Sequence, residues 1–286
     1  MFVVLRTQWR WLVRQTLREI IDDNCVGLAA QLAFYFLLAL FPALLFLVAL
    51  VGYLPIDQAL GESLSALGAV APTESVVLLR NQVTRIKESD AGGLLTLGVI
   101  GALWSSSAGM VAIIDALNRA YDVTEWRPWW KRRLVAVALS IMLAVFIVLS
   151  FALVLLGPEL ISRVAARLGL GPVVSYAWNL ARWPAIVLLV MLGTNLVYYF
   201  APNRTRPGWT WMTPGAVAAT LLWIGASLLF KLYIVNFGDY TATYGAIGAA
   251  IVTMLWFYVS GLALLVGAEL NGVLEQRTSL QGRHRA

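Results

Sequence analysis

The chain has 286 residues, of which 60% are hydrophobic and only 13% are charged, and its mean hydropathy is +0.78. A soluble domain is roughly 45–50% apolar and roughly 25% charged, so a water-soluble enzyme domain and a disordered chain are both excluded. The net charge of +6 is interpreted first as a guide to membrane orientation, because basic residues concentrate in cytoplasmic loops.

Cysteine and histidine are almost absent, with one of each, Cys25 and His284. A single cysteine cannot form a disulfide within the chain, and these two residues alone cannot make a His/Cys metal site. We therefore expect no metal and no cofactor, and the sequence nominates no catalytic residue.

Residues 1–28 are predicted to form a basic amphipathic segment at the membrane surface. Arginines at positions 6, 10, 14 and 18 recur every four residues and form one stripe of a helix. Apolar residues line much of another face: Leu5, Trp9, Leu12, Leu17 and Ile20. Such a helix lies in the headgroup layer and meets anionic lipid, although the same charges also fit a simple topology anchor. No stacking platform accompanies the stripe, so no nucleic-acid partner is expected.

Six apolar runs are each long enough to cross a hydrocarbon core as a helix, which takes about 20 residues. The alternating pattern that barrel strands require is missing. The predicted fold class is therefore an all-α polytopic membrane bundle over residues 29–268. The predicted spans are, in chain order, about 29–53, 92–114, 134–157, 183–200, 212–237 and 245–268.

Positive charge is distributed unequally between the two sides of these spans. Most of the 21 Lys and Arg residues lie in the N-terminal segment, in the loops after the second and fourth spans, and in the basic tail at 269–286. The positive-inside rule then predicts that both termini face the cytoplasm. On the opposite side, 54–91 is predicted to form two short amphipathic helices, and 158–182 another short helix with turns.

Polar side chains inside the predicted spans are the main functional signal, because each is costly in lipid. Lys231 is the sharpest example and lies about 9 Å from the periplasmic end of the fifth span, at 1.5 Å per residue. These side chains could line an outward-opening cavity that offers a cation to an anionic headgroup. Alternatively, Lys231 snorkels to the interface and the hydroxyl groups join neighbouring helices. The candidate pathway residues are Lys231, Ser227, Gln31, Tyr35, Ser105, Thr253 and Ser260.

A second polar group lies at the predicted cytoplasmic ends of the second and sixth spans. Asp115, Asn118 and Arg119 continue one helical face, and Asp115 and Arg119 have the spacing of an i, i+4 ion pair. With Glu269 at the end of the sixth span, they form a candidate cytoplasmic gate. A plain solvated helix end is the alternative.

Three blocks of sequence carry a family resemblance. The first joins Asn24 and Cys25 to AAQLAFY at 29–35 and LFP at 40–42, and the second joins WSS at 104–106 to LNRAYDV at 117–123. The third runs from PGA at 214–216 through YGAIG at 244–248 to GAELN at 267–271. The blocks resemble the YihY/BrkB family of bacterial inner-membrane proteins. The resemblance implies six spans, the inner membrane, links to virulence and envelope lipid export, and no settled activity; an older ribonuclease label also follows the family.

These observations predict a transporter or exporter of a lipid or other anionic amphiphile in envelope biogenesis. A non-transporting scaffold for envelope protein partners is the alternative. Ribonuclease activity is disfavoured, because metal-dependent hydrolysis of RNA needs clustered ligands and the acidic residues here are scattered without histidines. The sequence therefore predicts no enzyme, and its expected partners are membrane lipids, anionic ones above all, rather than nucleic acid.

Overall fold

The computed structural model describes residues 2–53, 91–155, 171–204, 210–237 and 240–283, and the regular elements in these ranges are α-helices. Apolar side chains with good helix propensity fill them, and a helix satisfies every backbone hydrogen bond inside lipid. The helices are α1 (Phe2–Asp22), α2 (Cys25–Tyr53), α3 (Ala91–Ala120), α4 (Trp129–Leu155), α5 (Gly171–Phe200), α6 (Pro214–Phe237) and α7 (Tyr240–Arg283).

The chain divides into two compact units. The larger comprises Met1–Phe36 together with Ser107–Ala286, and the smaller comprises Leu37–Ser106. Most of the sequence between α2 and α3 lies outside the described residues, and so do the two amphipathic helices predicted there. The side-chain contacts between helices that form the candidate site lie in the larger unit. The contact between Ser105 and Leu38 lies in the smaller unit.

Each of the six predicted spans lies largely within one of the helices α2 to α7. In the described part of the chain, four stretches are long and apolar enough to cross a membrane: Trp129–Ser150, Tyr176–Phe200, Pro214–Ile234 and Ala250–Arg277. The bent pair Arg10–Asp22 and Cys25–Leu40 makes a fifth if it is one broken span. The described residues therefore give four to five candidate spans, and the number six stays a prediction.

Asn24 makes the sharp turn between α1 and α2. Its φ of 53° is a left-handed conformation, which asparagine adopts more readily than most residues. Its Oδ1 accepts a hydrogen bond from the backbone N–H of Gly27 at 3.3 Å and so caps the first turn of α2. The chain bends by 62° between the two helices, so α1 does not continue along the axis of α2.

The fourth membrane helix is longer than predicted. α5 begins at Gly171 rather than near Trp183, so residues 171–182 belong to the same helix instead of forming a separate short helix, and the candidate span in it begins at Tyr176. Pro172 lies in the first turn, where its missing N–H costs no hydrogen bond, and Pro184 is held inside the helix. The remainder of the predicted external segment, 158–170, lies outside the described residues.

The last helix also extends past its predicted end. α7 has 44 residues and runs to Arg283, so residues 269–283 are helical rather than a loose tail. Glu269, Asn271 and Val273 are 2%, 4% and 2% exposed, so this part of α7 belongs to the core. Hydropathy falls here because the buried surface is partly polar, and that change misplaced the end of the span.

The core of the larger unit gathers parts of α2 to α7: the start of α2, the end of α3, the starts of α4 and α6, the end of α5 and the later part of α7. These are the ends predicted to face the cytoplasm. The largest fully buried side chains include Tyr198, Leu32, Ile114, Leu117 and Leu265.

α6 and α7 approach most closely where glycines face each other. A Cβ on Gly215 would overlap the carbonyl oxygen of Gly267, and a Cβ on Gly267 would lie 2.5 Å from the hydroxyl oxygen of Tyr198. Small residues let helix backbones come together in this way in membranes. The contact brings the start of α6 against the polar part of α7.

Candidate functional site

The predicted pathway residues on α2 and α3 are only partly buried. Gln31 is exposed, and Tyr35 is half-buried with its ring edge-to-face against Phe34 at 5.7 Å between centroids. Ser105 belongs to the smaller unit, where its hydroxyl lies 3.4 Å from the carbonyl oxygen of Leu38 as donor. Gln31 and Tyr35 belong to the larger unit.

Ser260 joins α6 to α7. Its hydroxyl donates to the carbonyl oxygen of Trp256 at 2.8 Å and accepts a hydrogen bond from Nε1 of Trp223 at 3.1 Å. The two tryptophan rings lie edge-to-face with centroids 6.1 Å apart. Thr253 lies two turns earlier on α7 and is half-buried. The Ser260 hydroxyl therefore links α6 to α7 by a hydrogen bond, as small polar residues do between membrane helices.

Ser227 and Lys231 on α6 differ from Ser260 in their surroundings. The Ser227 Oγ is buried and has no hydrogen-bond partner in the described part of the chain. Lys231 is exposed one turn later, between the exposed side chains of Leu228 (59%) and Leu232 (58%). In the described part of the chain, the cation therefore lies on an outward apolar face of α6.

Asp115 forms an ion pair with Arg132 of α4 rather than with Arg119. The i, i+4 pair with Arg119 that the spacing suggested is therefore wrong, because Arg132 on the neighbouring helix binds the carboxylate instead. Arg132 also lies 3.5 Å from the carbonyl oxygen of Val111 as donor. The pair links the end of α3 to the start of α4.

Asn118 is buried at 5% exposure, so a solvated helix end does not describe it. Its Nδ2 donates to Glu125 at 3.0 Å, and its Oδ1 accepts the backbone N–H of Asn203 at 2.8 Å. Asn203 in turn donates through Nδ2 to the carbonyl oxygen of Thr124 at 2.9 Å. One asparagine from each of two helix ends thus fixes the loop between α3 and α4.

Glu125 and Arg127 form a well-buried ion pair in that loop. Their closest N···O distance is 2.7 Å, and their side chains are 17% and 13% exposed. Arg127 also donates to the carbonyl oxygen of Ala201 at 2.7 Å. Burial raises the pKa of the Glu125 carboxyl, but hydrogen bonds from Arg127 and Asn118 and the arginine charge outweigh it and leave the pKa below its ordinary value.

Asn271 ties α7 to the start of α6. Its Oδ1 accepts the backbone N–H of Gly215 at 2.8 Å, and its Nδ2 donates to the hydroxyls of Tyr121 and Thr213 at 3.1 and 3.0 Å. The Thr213 hydroxyl donates to Oδ1 of Asn195 at 2.8 Å. The Asn271 amide therefore connects α7 to the first turn of α6, to the residue before α6 and to the residue after α3.

Arg204 adds a charged contact beside Tyr121. Its guanidinium lies 4.5 Å from the ring centroid, donates to the carbonyl oxygen of Tyr198 at 2.7 Å and forms an ion pair with Glu275. We call the connected side chains the interhelical polar network. Its members are Asn118, Glu125, Arg127, Asn195, Asn203, Arg204, Thr213 and Asn271.

Glu269 lies beside this network and is 2% exposed. Its Oε1 accepts a hydrogen bond from the Sγ of Cys25 at 3.1 Å, which joins α2 to α7. Burial raises the pKa of the nearby Asp23 carboxyl, as do the charges of Asp122 and Glu19. A hydrogen bond with Glu269 and the charge of Arg119 act in the opposite direction and are weaker.

Of the predicted gate residues, Asn118 and Glu269 are buried among helix ends, whereas Asp115 and Arg119 are exposed. Sequence reasoning missed most of the network, including Glu125, Asn195 and Asn203. The signal that could have found them is a polar residue that lies next to the end of a predicted span, on the side of the helix that packs against the core. Among the described residues, no group of three or more His, Cys, Asp and Glu side chains is arranged to hold a metal ion.

Comparison with known proteins gives matches over nearly the whole chain. Residues 16–286 match the family model described as virulence factor BrkB. The chain is 37% identical to the putative ribonuclease-like protein YfkH of Bacillus subtilis, covering 88% of this chain and 90% of that protein. It is 31% identical to a UPF0761 membrane protein of Ralstonia nicotianae and 26% identical to one of Aromatoleum aromaticum, over 95% and 94% of this chain. It spans only 61% and 64% of the lengths of those two relatives. No solved structure matches the chain.

Proposed function

The chain belongs to the BrkB family of membrane proteins, and we propose that it transports or exports a lipid or another anionic amphiphile in envelope biogenesis. In this proposal it lies in the bacterial inner membrane with both termini in the cytoplasm. The family is not an established group of enzymes, and the ribonuclease-like name of the Bacillus relative is a historical label.

The observation that supports an amphiphilic substrate is the position of Lys231. Its ammonium group lies on an exposed apolar face of α6, flanked by exposed leucines. A cation placed there can meet a phosphate or other anionic headgroup while the acyl chains stay in the bilayer. A small hydrophilic ion would instead need an enclosed polar path across the membrane.

Ser227 extends the same polar line along α6. Its buried Oγ lies one helical turn from Lys231 and has no partner in the described part of the chain. An unsatisfied buried hydroxyl is costly, and in this proposal the Ser227 side chain turns outward to meet a polar group of the substrate. A cation and a hydroxyl one turn apart suit a headgroup with one charged and one hydrogen-bonding oxygen.

The test is to reconstitute the purified protein in liposomes and to measure movement of labelled anionic phospholipid between leaflets. We expect movement above that of empty liposomes, a strong loss with Lys231→Ala and substantial retention with Lys231→Arg. Lys131→Ala is the matched control, because Lys131 is an exposed lysine beside an aromatic ring, with its Nζ 5.3 Å from the centroid of Trp130.

Two results would contradict parts of the proposal. Movement that does not depend on Lys231 would leave the activity and remove the site. Absence of movement above empty liposomes would favour the second candidate, a scaffold that organises envelope proteins without transport.

The interhelical polar network is the observation that favours a scaffold. A structure that moves during transport must break such hydrogen bonds, and buried amides are costly when unpaired. The network therefore fits a rigid body at this end of the helices. A transport function then requires that the opening lie at the other end, around Lys231.

A further inference from the structure

α1 presents a mixed basic and aliphatic face that packs against nothing in the described part of the chain. Val13, Leu17 and Ile21 recur every four residues and are 41%, 55% and 76% exposed. The arginines at 10, 14 and 18 are also exposed and recur with the same spacing. We call this the α1 outer face, consisting of Arg10, Val13, Arg14, Leu17, Arg18 and Ile21.

The opposite side of α1 is already occupied. Leu12 and Thr16 are buried at 9% and 7% exposure, and the Arg277 guanidinium of α7 lies 5.3 Å from the ring centroid of Trp11. Leu12 and Leu17 therefore lie on different sides, which corrects the single apolar face expected from the sequence. Because its inner side is held by α7, α1 cannot rotate to hide the outer face.

A shallow groove of about 490 Å³ runs along the outer face and is lined by its six residues. Alternating guanidinium groups and branched aliphatic side chains offer hydrogen-bond donors beside apolar surface. Phosphodiesters accept bidentate hydrogen bonds from arginine, and the first methylenes of an acyl chain suit the aliphatic positions. Both chemistries meet where a phospholipid headgroup joins its chains.

We propose that the α1 outer face binds the anionic phospholipid headgroups of the membrane in which the chain lies. The occupant follows from charge complementarity and from the 62° bend, which turns α1 away from α2 so that it can lie along a leaflet. A nucleic acid would leave the three aliphatic residues without a stacking partner. This site is on α1 and does not depend on Lys231 or on transport.

The test uses the whole protein in lipid nanodiscs with a fluorophore on Leu17→Cys. Cys25 is the single native cysteine and is fully buried, so the introduced thiol is the one that reacts. Quenching by lipids that carry a nitroxide near the headgroup is compared in phosphatidylcholine and in phosphatidylcholine with phosphatidylglycerol. Asp22→Cys, at the end of α1 and outside the outer face, is the control position.

We expect stronger quenching at position 17 in the anionic discs, and weaker quenching at high salt, which screens such contacts. Replacing all three arginines by glutamine should lower the partition of this face onto the anionic surface about a hundredfold, since each basic residue contributes a similar increment. The matched triple lysine variant should keep most of the effect. Position 22 should respond little in either lipid.

Three outcomes would overturn the proposal. Equal quenching in neutral and anionic discs would show that headgroup charge is not recognised. A label reached by soluble iodide and not by lipid would place the face in water. A label shielded from both quenchers would mean that a protein, such as a second copy of this chain, covers it.

Discussion

Glu125 holds the loop between α3 and α4 by accepting hydrogen bonds from Arg127 and Asn118. Its folded pKa is lowered, so its stabilising effect is fully present above the unfolded value near 4.5 and is lost as the pH falls through the folded value. We predict that Glu125→Gln lowers the free energy of unfolding by roughly 1–3 kcal/mol at neutral pH. Thermal unfolding in detergent measures this.

The difference between Glu125→Gln and wild type should shrink as the pH falls below the unfolded value near 4.5 and through the lowered folded value. Asp115→Asn is the control, because the side chains of Asp115 and its partner Arg132 are 49% and 25% exposed. A surface ion pair contributes about 0–1 kcal/mol. An equal loss in both variants would contradict the role of the buried loop pair.

Asp23 has the opposite linkage. Its folded pKa is raised above 3.8 by burial and by the charges of Asp122 and Glu19, so the folded state becomes less stable as the pH rises through that raised value. We predict that Asp23→Asn matches wild type in acid and unfolds at a higher temperature at neutral pH. The exposed neighbour variant Asp22→Asn should change little, and a destabilised Asp23→Asn at neutral pH would refute the argument.

The sequence nominated Asn118 and Glu269, and both are buried, but it could not supply their partners. Asn118 meets a residue 85 positions away, and Glu269 meets Cys25, 244 positions away. Helical spacing gives neighbours three or four residues apart, so it suggested Arg119 for Asp115 where the fold uses Arg132. Partners across helices depend on packing that no local pattern encodes.

At the scale of elements, the contact between α6 and α7 depends on the absence of side chains. We predict that Gly215→Ala lowers stability by at least about 1–3 kcal/mol, because the added methyl would overlap the Gly267 carbonyl and lie 2.5 Å from the amide carbon of Asn271. Gly225→Ala, on the same helix, is the matched control. Nothing lies within 4 Å of its Cβ position, so stability should hold or rise by up to about 1 kcal/mol.

A Gly215→Ala protein that unfolds like wild type would mean that α6 and α7 can separate without cost. Expression level and thermal unfolding of both alanine variants decide between these outcomes. Gly215→Ala also tests the scaffold hypothesis, because a rigid contact between α6 and α7 should not accommodate the added methyl group.

The helices themselves were predictable, whereas two of their ends were not. Runs of apolar residues located all six predicted spans within helices. Hydropathy shows where a helix is apolar, but it does not show where the backbone hydrogen bonds of the helix end. α5 therefore begins earlier, at Gly171, and α7 continues through the buried Glu269 and Asn271.

At the scale of the whole molecule, the four candidate spans have only 11–22% of their residues buried inside the chain. The remainder of each span meets its surroundings, which suits lipid or further protein. Membrane helices gain little from hydrophobic burial against one another, so polar contacts and close packing must hold them together. In the larger unit, those contacts concentrate at the ends predicted to face the cytoplasm.

This arrangement leads to a topology prediction. We expect a green fluorescent protein fused to either terminus to fluoresce, and alkaline phosphatase fused there to be inactive. A phosphatase inserted in the predicted external segment 158–170 should be active. Activity of phosphatase at either terminus would reverse the orientation and would place the interhelical polar network on the outer side.

The interhelical polar network also has a consequence for biosynthesis. Its member Asn271 donates a hydrogen bond to Tyr121, and beside it Gln276 of α7 donates one to Asp122; the two pairs are 150 and 154 positions apart. The ribosome therefore delivers Tyr121, Asp122 and Gly215 to the membrane before their partners in α7 exist. A nascent chain must hold these groups in water at the interface, or against an insertion factor, until α7 emerges. A chain truncated before residue 269 would keep its apolar helices but lose the hydrogen bonds that α7 makes to them. We expect membrane proteases to degrade such a chain.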